Sequence, residues 1–167
     1  MSKTLEQIIG QLIIAGFRES TITPESDIIR YIKNYNISGV IIYDEDMGNK
    51  KNKTRNVISP HQLQNLIKGL QASSDNPLLI SIDQEGGKVN RLKKKYGFPD
   101  FPSWNEIGFI DDVQNTKQYS ALLGKCLNGV GINLNYAPVL DLDYGKSSYI
   151  GNACLLYTSP SPRDRSI

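Results

Sequence analysis

Four short apolar runs punctuate this sequence, with polar or glycine-rich segments between them. They are Leu12-Ile13-Ile14-Ala15-Gly16-Phe17, Gly39-Val40-Ile41-Ile42-Tyr43, Leu78-Leu79-Ile80-Ser81-Ile82 and Ile132-Asn133-Leu134-Asn135-Tyr136-Ala137. Each has the length and composition of a buried strand. They predict strands near residues 11–17, 38–44, 77–83 and 132–138. The second run is continuous rather than alternating, as expected when both faces of a parallel sheet are covered. Between the runs the spacing turns helical. Ile28, Ile29 and Ile32 follow a helix start at Thr23-Pro24-Glu25, with Thr23 as cap and Pro24 in the first turn. Ser59-Pro60 opens a second helix carrying Leu63, Leu66, Ile67 and Leu70 on one side. A third helix is expected over residues 113–127. The polar stretch 44–58 and the glycine-, lysine- and aromatic-rich stretch up to Trp104 read as loops.

Alternating strand and helix is the pattern of an α/β fold with a parallel sheet and crossover helices. Two architectures fit: the N-terminal part, about four β/α units, of a TIM-type (β/α)8 barrel, or a doubly wound sheet. Periodicity does not separate them. Both place ligand sites beyond the carboxyl ends of the strands, where the polar, glycine-rich segments lie.

Composition narrows the function classes. Of 167 residues, 39% are hydrophobic and 22% charged, which is ordinary for a globular domain. The net charge of +2 is too small to imply nucleic acid or an acidic membrane surface as partner. Lys50, Lys51 and Lys53, and again Lys93, Lys94 and Lys95, read as solvated loop, because no aromatic stacking pattern accompanies them. The cysteines, Cys126 and Cys154, form no C-x-x-C pair, and the one histidine, His61, gives them no metal partner. His61 reads as surface and Cys126 as buried. The opening Met-Ser-Lys-Thr-Leu-Glu has no signal-peptide core, and no apolar run reaches membrane-spanning length, so a cytoplasmic location is expected.

The segment richest in candidate chemistry begins where the third strand ends: Asp83-Gln84-Glu85-Gly86-Gly87-Lys88-Val89-Asn90-Arg91. Polar side chains at the end of a buried strand are costly unless partnered. The glycine pair lets the backbone turn and a ligand approach. Asp83 and Arg91 side by side can take vicinal hydroxyls, one accepting and the other donating. Other readings compete. Asp83 and Glu85 share a face in an extended strand, as an acid/base pair would. Asp-x-Glu can contribute to a divalent-metal site, although only two acidic ligands are evident. An Asp–Arg pair can also simply brace a turn.

Asp-Gln-Glu-Gly-Gly-x-Val-x-Arg after a third strand closely resembles the signature of the β-N-acetylhexosaminidases of glycoside hydrolase family 3. Ile9-Gly10-Gln11-Leu12-Ile13-Ile14-Ala15-Gly16-Phe17 is similar to that family's opening, and Gly39-Val40-Ile41-Ile42-Tyr43 to its second strand. Gly131-Ile132-Asn133-Leu134-Asn135-Tyr136-Ala137-Pro138-Val139-Leu140-Asp141 is similar to its fourth. The resemblance runs from about Leu5 to about Ala153. It implies a retaining hydrolase on a barrel, with Asp83 and Arg91 holding hydroxyls of a terminal sugar and Gln84, Glu85, Gly86 and Gly87 as supporting loop. It implies no cofactor and no metal. A β-glucosidase or a phosphate-using glycosaminidase of the same family, or a non-catalytic sugar-binding module, are the alternatives.

Asp141, at the end of the fourth strand, is a weaker candidate for the substrate rim; Asp143 beside it shares with it the alternative of turn former. Trp104 and Tyr136 can stack on sugars, though apolar packing fits each better. By the same resemblance, the nucleophile and the Asp–His acid/base pair belong to segments beyond Ala153. Residues 154–167, rich in Ser, Pro and Arg, lack periodicity and are expected to be a disordered tail foreign to the domain of residues 1–153. Half a barrel leaves strand edges and apolar faces uncovered, so marginal stability is expected.

Overall fold

The apolar runs do become strands, each shorter than its pattern, in one parallel sheet. The computed structural model describes residues 4–46, 48 and 54–139. In chain order these are α1 (Leu5–Gly10), β1 (Ile14–Gly16), α2 (Asp27–Tyr35), β2 (Gly39–Ile42), α3 (Pro60–Ala72), β3 (Leu79–Ile82), α4 (Trp104–Ile110), α5 (Val113–Val130) and β4 (Leu134–Asn135). A single 3-10 turn covers Lys94–Tyr96. The sheet order is β1-β2-β3-β4 and all neighbours are parallel. Sequential order, with no reversal, is that of a barrel segment rather than a doubly wound sheet.

Register sorts the strand residues onto two faces. Val40 lies opposite Ile80 and Ile42 opposite Ile82. All four are fully buried, in one core with Ile28, Ile29 and Ile32 of α2 and Leu63, Leu66, Ile67 and Leu70 of α3. The other face carries Gly39, Ile41, Leu79 and Ser81, where Leu79 is 42% exposed. The second strand itself is buried at Gly39, Val40 and Ile42 and half-buried at Ile41, so the exposure on this face falls on the third strand, at Leu79. Gly39 has a specific reason to lack a side chain, since a Cβ there would lie 2.3 Å from the Leu79 carbonyl oxygen. Leu5, Leu12, Ile8 and Ile9, at the α1 end, are also exposed.

Helix starts differ from the pattern in instructive ways. Ser59 caps α3 through a capping box with Gln62, with Pro60 in the first turn, as anticipated. Thr23-Pro24 does not open α2. Instead the Thr23 carbonyl accepts from the Ser26 amide, and the Ser26 hydroxyl accepts from the Thr23 amide. That closes a turn, and the helix begins three residues later at Asp27. Two short helices escaped the periodicity, although each carries a capping box: Thr4 with Gln7 for α1, and Ser103 with Glu106 for α4. The stretch 44–58 is more than loop. Asn56 and Val57 are fully buried, and Asn56 accepts from the Tyr43 amide while donating to the carbonyls of Phe17 and Glu19.

β4 is only two residues long because asparagine side chains take over part of its ladder. Asn133 Oδ1 accepts from the Ile80 amide at 2.8 Å, and its Nδ2 donates to the Leu78 carbonyl at 2.9 Å. Asn133→Leu keeps the size but leaves the Ile80 amide without this partner, at about 1–3 kcal/mol, while the Leu78 carbonyl still accepts from Gln71 Nε2 at 3.0 Å. The variant should lose about 1–3 kcal/mol of unfolding free energy in a urea titration. A loss under about 0.5 kcal/mol would mean that these side-chain bonds are replaceable by water.

Candidate functional site

Strand alternation continues past the end of β3 and decides where the acidic residues go. Ile80, Ile82 and Gln84 follow one another on the covered side, and Gln84 is fully buried. Ser81, Asp83 and Glu85 alternate with them on the other side. Gln84 is the anchor of the segment. Its Oε1 accepts from the amides of Arg91, at 2.8 Å, and Leu92, at 2.9 Å. Its Nε2 donates to Asn90 Oδ1 at 2.9 Å. Asn135 on β4 grips its backbone, accepting from the Gln84 amide at 3.0 Å and donating to its carbonyl at 3.1 Å.

Between Gln84 and Arg91 the chain folds back on itself. The amides of Glu85 and Gly86 both donate to the Val89 carbonyl, and the Gly87 amide donates to the Phe101 carbonyl. Gly86 has φ +87° and Gly87 φ +55°, conformations that glycine adopts freely. A Cβ on Gly86 would also lie 2.1 Å from the Pro102 carbonyl oxygen. Phe101 and Pro102 are themselves fixed from behind. Phe101 is 1% exposed, and the Tyr119 hydroxyl on α5 donates to the Pro102 carbonyl at 2.8 Å. Trp104 packs edge-on against Tyr119, with centroids 5.0 Å apart. Trp104 is thus a packing residue, as expected. Tyr136 is not: it is 46% exposed.

The turn delivers Arg91 to the carboxylates. Arg91 Nη2 lies 3.5 Å from Asp83 Oδ2 and Nη1 lies 3.6 Å from Asp44 Oδ1. These are loose contacts, well beyond the 2.7–2.9 Å of a tight charge-assisted bond. The guanidinium also sits over the Tyr43 ring, 5.5 Å from its centroid, and Arg55 approaches the same ring at 4.8 Å. Asp44 is 1% exposed and pairs with Lys93 Nζ at 2.5 Å. Lys93 and Lys95 both reach Glu45 Oε1 at 2.8 Å. Their hydrogen bonds hold the Glu45 carboxyl down at about 2. Lys93 and Lys95 therefore belong to an ion-pair network, Lys93 half-buried and Lys95 still exposed as the sequence suggested. Burial pushes Glu85 the other way, up to about 7, helped by the charge of Asp83 and a hydrogen bond with it; Arg91 opposes the shift.

The structure thus brings Asp83, Glu85 and Arg91 together at the C-terminal end of β3. It adds Tyr43, Asp44 and Glu45 from the end of β2, and Lys93. None of these four was singled out from the sequence. The available signal was the repeat of one arrangement: a buried strand ending in closely spaced acids, Asp44-Glu45 after β2 and Asp83-x-Glu85 after β3. Asp141, Asp143, Cys154, Lys50, Lys51, Lys53 and the tail 154–167 lie outside the described residues. Cys126 is half-buried against the core rather than fully buried. His61 is exposed on α3, away from this cluster. No group of three or more His, Cys, Asp or Glu among the described residues is arranged to hold a metal ion. No helix among them is long and apolar enough to cross a membrane.

The family resemblance read from the motif can be set against sequence and structure comparisons. The profile of the glycosyl hydrolase family 3 N-terminal domain matches residues 4–153. The chain belongs to glycosyl hydrolase family 3. A β-hexosaminidase of Methylobacillus flagellatus is 35% identical over 130 residues, covering 74% of this chain and 34% of that protein. A family 3 β-N-acetylglucosaminidase structure from Paenibacillus superposes with TM-score 0.73 at 33% identity, covering 84% of this chain and 25% of that one. NagZ of Neisseria gonorrhoeae, solved with N-trifluoroacetyl-D-glucosamine, gives 0.59 at 28% identity over 79% of this chain and 37% of that one. The chain spans about a third of the length of the curated relatives it matches. Its four parallel strands correspond to part of the family's (β/α)8-type N-terminal barrel.

Gly86→Ala combines an unfavourable φ with a backbone collision, so it should destabilise the chain by about 2 kcal/mol or more. The Arg91 side chain should lose its fixed position with it. Thermal unfolding together with the Arg91 Nε resonance in 15N spectra checks both. An unchanged melting temperature would show that the 86–102 contact is not needed.

Proposed function

We propose that this family 3 domain recognises the terminal sugar of a β-linked N-acetylglucosaminide, with Asp83 accepting from one hydroxyl and Arg91 donating to a neighbouring oxygen. The carrying observation is the 3.5 Å Asp83–Arg91 contact at the end of β3. It is close enough to orient both groups and too long to saturate either. Glycosidase relatives with N-acetylglucosaminidase activity in their names support the choice of sugar. The complete enzyme then removes terminal N-acetylglucosamine from cell-wall or chitin-derived saccharides by a retaining mechanism. Retaining hydrolysis needs a nucleophile on one side of the anomeric carbon and a proton donor on the other. We assign neither to residues 1–153. Asp83 is given to hydroxyl binding, and His61 lies on the exposed face of α3.

In a complete enzyme carrying this domain, Asp83→Ala should lower kcat/KM by several kcal/mol of transition-state stabilisation. Hydrogen bonds to charged groups, at about 1.5–3 kcal/mol each, set that scale. A change below about threefold, roughly 0.65 kcal/mol, would remove Asp83 from the sugar site.

The 167-residue chain itself should release no aryl alcohol from an aryl N-acetylglucosaminide above the buffer blank. Turnover that disappears in Asp83→Asn or Glu85→Gln would instead make Asp83 and Glu85 a working acid/base pair. Comparing aryl glucosides with aryl N-acetylglucosaminides on the complete enzyme, with and without phosphate, separates this reading from a β-glucosidase or a phosphorylase.

A further inference from the structure

Two carboxyl groups compete for the Arg91 guanidinium. Nη1 lies 3.6 Å from Asp44 Oδ1 and Nη2 lies 3.5 Å from Asp83 Oδ2. Arg91 Nε is buried and has no hydrogen-bond partner among the described residues. Over the Tyr43 ring, 5.5 Å from its centroid, the guanidinium is therefore placed by the two acids. They are unequal. The Asp44 side chain is 1% exposed and that of Asp83 31%. At the same distance, a charge pair shielded from water acts more strongly than one in contact with it. Asp44 thus pulls harder, yet it has almost no surface to offer a sugar. Lys93 Nζ, 2.5 Å from Asp44 Oδ2, occupies the other oxygen and limits that pull.

We propose that Asp44 is a positioning residue: it holds Arg91 back from Asp83, so that Asp83 keeps an oxygen open to a sugar hydroxyl and Arg91 keeps a donor open beside it. This deepens the Asp83–Arg91 reading and rests on it. Register supplies the geometry. β2 and β3 run parallel with Ile42 opposite Ile82, so the chain leaves the sheet at Asp44 and at Asp83 from neighbouring positions. The turn after Gln84 then brings Arg91 within reach of both acids. Without Asp44, nothing draws Nη1 away, and the guanidinium closes on Asp83 as a two-pronged pair. An acid closed in this way has fewer lone pairs for a hydroxyl. Without Lys93 the opposite follows. Asp44 then has both oxygens for Arg91 and draws it off Asp83. The position of Arg91 is a balance in which Lys93 weakens the pull of Asp44 and Asp83 opposes it.

The test uses the full chain, labelled with 13C at aspartate side-chain carboxyls and followed by NMR, with circular dichroism confirming the fold of each variant. The Asp83 carboxyl resonance, identified by its loss in Asp83→Asn, reports the approach of the guanidinium. Asp44→Asn and Lys93→Met should move it in opposite directions. A general disturbance of the fold has no reason to produce opposite signs. Movement in one direction in both, or in neither, would overturn the proposal. If Asp44→Asn does not fold, Lys93→Met decides alone: a moved Asp83 resonance supports the proposal and an unmoved one overturns it. The second arm measures N-acetylglucosamine binding by chemical-shift perturbation. Asp44→Asn should weaken it at least about fivefold. Asp46→Asn removes the same charge two residues along, from a carboxyl that pairs with Arg18, and should change binding less than about twofold. No loss in Asp44→Asn, or an equal loss in Asp46→Asn, would overturn the positioning role. Opposite shifts of the Asp83 resonance with no saccharide response in the natural chain would support the hold on Arg91 and overturn the sugar reading on which it is built.

Discussion

The site depends first on one buried amide. Gln84 has no access to water, so its donor and acceptor must be satisfied inside the protein. They are satisfied by the backbone of Arg91 and Leu92 and by the side chain of Asn90, residues that lie across a tight turn. Asn135 then ties the Gln84 backbone to β4. Replacing any part of this set leaves a buried polar group unpaired, which costs more than the bond itself contributes. The arrangement is therefore all or nothing. It turns a flexible glycine-rich segment into a fixed arm with Arg91 at its tip.

Charge balance around that tip sets what the site can bind. Arg91 is shared between Asp44 and Asp83 at distances too long for either to saturate it. Lys93 neutralises Asp44 and, with Lys95, Glu45. The site is left with the Asp83 carboxyl, the Arg91 guanidinium and Glu85, whose carboxyl burial pushes up. Such a set suits an uncharged ligand rich in hydroxyls, whose groups donate and accept in turn. Tyr43, under both Arg91 and Arg55, gives the guanidinium groups a flat apolar support.

The aromatic layer behind the turn explains why a loop can be this rigid. Phe101, Trp104 and Tyr119 meet edge to face, and the Tyr119 hydroxyl holds the Pro102 carbonyl. The same short segment, Phe101-Pro102, accepts the Gly87 amide and sits where a Gly86 side chain would go. Helix α5 thus positions the glycine turn although it contributes nothing to the site directly.

Sequence alone determined the parallel β/α order, the buried faces of α2 and α3, and the grouping of Asp83, Glu85 and Arg91. Those follow from local rules: apolar periodicity, period-two alternation past a strand, and a glycine turn that returns the chain within eight residues. The motif also carried the family. What it left open was pairing at a distance. Asp44 and Lys93 are 49 positions apart, and only the parallel register of β2 and β3 puts their segments side by side. Lys94 and Lys95 are exposed, as the run suggests, but the acidic partners of Lys93 and Lys95 follow another strand and do not show in the local sequence. The length of the fourth strand was overestimated because Asn133 looks like a strand residue in sequence, and its side-chain bonding to β3 is visible only in three dimensions. Thr23-Pro24 failed as a helix start for a similar reason: the Ser26 hydroxyl chose the Thr23 amide over its own helix. Local sequence specifies which groups need partners; tertiary structure decides which partners they get.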